Sequence, residues 1–183
     1  VKPMNEADQG NVDLVAKEML ACAELGALAS FKQFQANHPE IPTRFLTEDW
    51  DYFCTVALIG SALLHMRARI AYDPILTEDF QIALGKMLNR KLLSGWAAVN
   101  DLFGFIERQG IPDVANAIAC DYLLDERKKT IAAAVGMWIV WNLKKAPPSP
   151  SDNALVSALG RFMFEHYGAV VADLTYKKAC GQN

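Results

Sequence analysis

The chain has 183 residues, 52% hydrophobic and 21% charged, with a formal net charge of −3 and a pI near 5.6. That balance excludes intrinsic disorder, and the length allows one sizeable core, so residues 1–183 are read as a single helical domain. An acidic chain lacks the basic face that bulk nucleic-acid binding needs to displace counterions, so no nucleic-acid partner is expected.

The charge is uneven along the chain. Residues 1–60 hold nine acids and four bases, 61–123 seven and six, and 124–183 five and eight. A dipolar molecule stacking head to tail is one reading. The favoured one is incidental placement, with most of the lysine pairs (Lys128-Lys129, Lys144-Lys145, Lys177-Lys178) near helix C-termini, where the macrodipole favours cations. Cys22, Cys54, Cys120 and Cys180 are widely spaced and form no C-x-x-C pair. Free thiols in apolar helical stretches fit a reducing, cytoplasmic-type compartment. The N-terminal stretch is acidic and has no apolar signal-peptide run. The most apolar segment, Ile131 to Leu143, is shorter than the roughly 20 residues a spanning helix needs, so it reads as a buried core helix and no membrane span is expected.

Proline placement sets the order of elements. The eight prolines fall at the start or in short breaks, leaving spans 5–38, 43–73, 75–111, 113–146 and 151–183. Proline lacks the N–H and clashes with the preceding turn, so these spans can be helical throughout, and none alternates with period two. The predicted helices are 11–37, 48–72, 78–93, 96–109, 113–124, 126–145 and 152–178, with 78–93 and 96–109 read alternatively as one helix broken near Gly95. Thr47 and Thr77 each open a Leu-Thr-Glu-Asp-aromatic segment and are expected to cap helices, with acids in the positive first turn. Pro112-Asp113 and Ser151-Asp152 are similar starts. Residues 56–64 are nearly apolar all round, which marks an enclosed central helix, and Gly60 and Ser61 would let a neighbour approach closely. Glycines at 26, 60, 85, 95, 104, 136, 160 and 168 lie inside helical spans, where each costs about 1 kcal/mol against alanine. Close packing, kinks or a cavity wall are the expected reasons. The fold expected is an all-α, compact bundle of six or seven helices around the helix at about 48–72.

No phosphate-loop, dinucleotide, nucleophile-elbow or zinc-protease motif is present. His65, Arg69 and Asp73 fall at i, i+4 and i+8 on one face of the central helix. His166 falls in the apolar stripe Leu159, Phe162, Val170, with Arg161, Glu165 and Tyr167 nearby. These make His65 and His166 a candidate acid–base pair or ligand anchor with Arg69 as anion binder. The alternative is a hydrogen-bonded core histidine plus a surface Arg69–Asp73 pair.

Phe31 to Phe45 resembles the second and third helices of globins, but no histidine lies between His65 and His166 to serve as proximal haem ligand. The stretch Asn100-Asp101-Leu-Phe-Gly104-Phe-Ile-Glu107-Arg108 resembles the metal motif of class I terpene cyclases. That resemblance implies an all-helical Mg²⁺-dependent diphosphate enzyme, with Asn100, Asp101 and, further on, Asp121 and Asp125 as candidate ligands. Gly104 stands where the family has serine and Arg108 where it has glutamate, and about nine residues carry the likeness. Trp50, Trp96, Trp138 and Trp141 are the candidate ligand- or interface-binding residues, with Trp138 and Trp141 on one helix face; at helical spacing the alternative is that they are plain core. The leading expectation is a non-catalytic binding protein without a cofactor. It would act through a helical surface or apolar cavity on a protein partner, a second copy of itself or a small apolar ligand. The competing expectation is an enzyme with a histidine/carboxylate cavity, or one acting on a diphosphate with Mg²⁺.

Overall fold

The computed structural model describes residues 6–69, 75–111 and 125–181, with side chains from residue 10 onward. Its elements are α1 (Glu6–Asn37), α2 (Ile41–Arg44), α3 (Thr47–Arg67), α4 (Glu78–Lys91), α5 (Gly95–Arg108), α6 (Asp125–Lys144), α7 (Asn153–Gly160), a π-wound segment (Arg161–Gly168) and α8 (Ala169–Ala179). There is no strand among the described residues, and one contiguous hydrophobic core draws on every one of these elements. The expected helix at 113–124, with its Pro112-Asp113 start and Cys120, lies outside the described residues.

The central helix is α3. Every residue from Cys54 to Met66 is buried, and α1, α5, α6, the π segment and α8 pack around it. Complete burial explains why the sequence there shows no polar face. Trp50, at the start of this helix, is fully enclosed and donates its indole N–H to Ser30 Oγ at 2.9 Å. The Ser30 hydroxyl in turn donates to the Ala27 carbonyl at 2.6 Å, so the polar end of a large buried ring is satisfied.

Several boundaries differ from expectation. α3 ends at Arg67 rather than 72, so Arg69 lies beyond the helix and the i, i+4, i+8 face is not continued. Arg69 instead pairs with Asp173 of α8; Asp73 lies outside the described residues. Thr77 caps α4 as expected, accepting from Phe80 N at 3.1 Å. Thr47 does not cap α3, because it is already the first helical residue and Trp50 N bonds the Leu46 carbonyl instead. α4 and α5 are separate helices, divided at Ser94, whose φ of 57° is left-handed. Lys128 and Lys129 fall in the first part of α6, not at a helix C-terminus, whereas the other two lysine pairs do sit near helix ends.

The last helix departs most from the expected continuous 152–178 span. Pro150–Asp152 form a single turn before it, capped by Ser149, and its middle is π-wound for eight residues. A π turn holds more residues than an α turn, so the inward face drifts. The stripe Leu159, Phe162, His166, Val170 is therefore broken. Met163, Phe164, Gly168, Val171 and Ala172 are buried, while His166 and Val170 are exposed.

α6 and α7 form a tight antiparallel hairpin. A Cβ on Gly160 would lie 1.9 Å from the Ala132 carbonyl oxygen, and one on Gly136 would lie 1.9 Å from that of Val156. Backbone therefore touches backbone, and only glycine fits at either position. The hairpin is closed by Asp152, 1% exposed, which accepts from Arg44 (2.8 Å), Lys144, and both the N–H and hydroxyl of Ser149. Burial alone would raise this carboxyl, but the four donors hold it well below the usual carboxylate range.

Candidate functional site

The closeness of the α6–α7 hairpin shapes what lies above it. Lys129, Ala133, Met137 and Trp141 recur every four residues along α6, and Asn153, Ser157, Arg161 and Glu165 recur likewise along α7 and the π segment. These two ridges border an open groove of about 600 Å³ whose lining also includes Ala132, Val156, Phe105 of α5 and the Pro147-Pro148 loop. A groove of that size suits a small molecule.

The groove has two unlike ends. Since Gly136 meets Val156 and Ala132 meets Gly160, the antiparallel pairing puts Trp141 level with the start of α7 and Lys129 level with the π segment. The first end is aromatic and aliphatic. Trp141 is 43% exposed and stands edge-on to Phe105, with ring centroids 6.0 Å apart. The other end carries Lys129, Arg161 and Glu165. Arg161 has no carboxylate at ion-pair distance among the described residues.

A second groove of about 270 Å³ lies on the other side of Arg161, lined by Gln33, Asn37, His38, Phe162 and His166 among others. His38 Nδ1 is 3.4 Å from Glu40, and its ring stacks on Phe34. A third groove, about 420 Å³, is lined by Gln81, Gly85, Asn89 and Trp96, whose backbone N–H is held by Asn89 at 2.9 Å.

The expected site residues are dispersed. His65 is enclosed, stacked on Phe164 at 4.7 Å, and donates its Nε2 proton to the Phe164 carbonyl at 2.7 Å. That bond makes Nδ1 the unprotonated nitrogen, and it has no hydrogen-bond partner. Burial is the main cause that pushes the His65 pKa down, outweighing the Phe164 bond, so the ring is neutral near pH 7. His166 is exposed and shares its groove with His38 instead of His65. The expected His65–His166 pairing is not formed there, because π winding turns His166 outward.

Trp138 and Trp141 also part company. Trp138 is 2% exposed and donates its indole N–H to Asp101 at 2.8 Å, while Trp141 faces the large groove. Asp101 is thus engaged by an indole, with Arg108 4.0 Å away. Asn100 and Asp125 are exposed, and Asp121 lies outside the described residues. No group of three or more His, Cys, Asp or Glu side chains is placed to hold a metal ion among the described residues. Nor is any described helix long and apolar enough to cross a membrane. No protein-family model, curated protein sequence or solved structure matches the chain.

His38 and the four-residue ridges escaped the sequence reading. The ridges had a visible signal, since Gly136 and Gly160 each sit beside one of them. His38 had none, because Arg161 and His166, which line the same groove, lie far away in sequence.

Proposed function

We propose that the protein is a non-catalytic binding protein whose large groove takes an apolar small molecule alongside Trp141. The observation that carries this reading is a half-exposed tryptophan, buttressed by Phe105, at the apolar end of a 600 Å³ groove. Full burial of a large apolar side chain is worth about 1.5–3 kcal/mol, and a ligand covering the exposed part of the indole would recover a share of that. Groove walls built on two helices locked by backbone contact favour a preformed site, which lowers the ordering cost of binding.

The test is a fluorescence titration with the neutral probe N-phenyl-1-naphthylamine. Binding is expected at micromolar concentration, and Ala133→Trp, an exposed groove position, should abolish it by filling the space. Unchanged binding in a folded Ala133→Trp protein would move the site elsewhere.

A further inference from the structure

Arg161 is the one described residue that lines both the large and the small groove. It opens the π segment and stands on the ridge between them. Given the large groove as an apolar-ligand site, on which this inference rests, we propose that the small groove is its head-group subsite, taking the phosphate-class anion of an amphipathic ligand on Arg161, His38 and His166.

The charges favour the small groove over the charged end of the large one. In the large groove Glu165 faces the same space as Lys129 and Arg161, so an anion there meets a carboxylate. The polar part of the small groove's lining is Arg161, two imidazoles and the side-chain amides of Gln33 and Asn37, beside Phe34, Ala158 and Phe162, with no carboxylate among its described lining residues. Glu40 pairs with His38 at 3.4 Å but does not line the groove. A guanidinium fork, amide N–H groups and imidazoles are the donors that suit a tetrahedral oxyanion. The ligand would lie with its chain toward Trp141 and its head across Arg161.

Monomeric decyl phosphate and 1-decanol, each displacing N-phenyl-1-naphthylamine, test this directly. Decyl phosphate should bind about tenfold or more tighter than decanol, the scale of a charge-assisted hydrogen bond. Arg161→Gln should bring that ratio close to one, and His38→Ala/His166→Ala should reduce it several-fold, with folding checked by thermal melts. Equal affinity of the two compounds in the unmodified protein overturns the head-group subsite while leaving the apolar site intact. So does a ratio that collapses in Lys129→Ala but survives in His38→Ala/His166→Ala. Failure of the neutral probe itself to bind removes the apolar site, and this proposal with it.

Discussion

The inner and outer faces of the last helix, from Asn153 to Ala179, are built by opposite rules. Inward, nothing is spare: Gly160 touches backbone, a Cβ on Gly168 would lie 2.6 Å from Ser61 Cβ, and the Phe164 carbonyl is held by His65. Outward, Arg161 has no ion-pair partner among the described residues, and Arg161, Glu165 and His166 line open grooves. The π winding is what lets one helix do both, because it turns His166 out while keeping Met163 and Phe164 in. Rigidity on one face is what gives the other a fixed shape.

The inner face should break hardest at the glycine seam. Gly160→Ala gains about 1 kcal/mol of helix propensity. It also forces α6 and α7 apart against a 1.9 Å contact, and the clash should win by on the order of 4 kcal/mol. Urea denaturation measures it; a stable, tightly folded Gly160→Ala protein would mean the hairpin is not closed as described.

Asp152→Ala comes next. Losing one partner of a buried pair typically costs about 3–5 kcal/mol, but Arg44 and Lys144 are 35% and 23% exposed and can rehydrate, so about 2 kcal/mol is expected. The native carboxyl is depressed, so its contribution is present above the ordinary carboxylate value near 3.9 and is lost as pH falls below it. Asp152→Ala should flatten the acid limb of stability against pH, and an unchanged limb would contradict the assignment.

His65 gives a smaller effect in a different pH window. Burial lowers its pKa, with Arg69 and Lys128 adding to that and the Phe164 bond and Asp173 opposing it. The unfolded chain then takes up the proton first, so stability is complete above about 6.5 and declines as pH falls from there toward the folded value. Melts between pH 7.5 and 5.5 should show a steeper decline for the unmodified protein than for His65→Gln. Parallel curves would place His65 in contact with solvent.

Much of the inner face could be read from residue order alone. Nearly continuous apolar character at 56–64 marks α3, the prolines mark the breaks, and Thr77 marks the start of α4. Boundaries are not legible where the deciding partner is distant: spacing places Arg69 on the α3 face, and nothing local reveals its pairing with Asp173. The outer face was harder. Helical periodicity assumed throughout 152–178 put His166 in the core, since winding imposed by packing leaves no local composition signature. Trp138 and Trp141 are equivalent by spacing, and what separates them lies on other helices, with Phe53 and Asp101 against Trp138 and Phe105 against Trp141.

The most direct test of the groove reads the four indole N–H resonances of ¹⁵N-labelled protein during titration with N-phenyl-1-naphthylamine. The Trp141 signal should shift most, with Trp50 and Trp138, buried and hydrogen-bonded, moving little and Trp96 unaffected in its separate groove. A Trp96 shift with Trp141 still, or no indole shift despite binding, would contradict the large groove as the site.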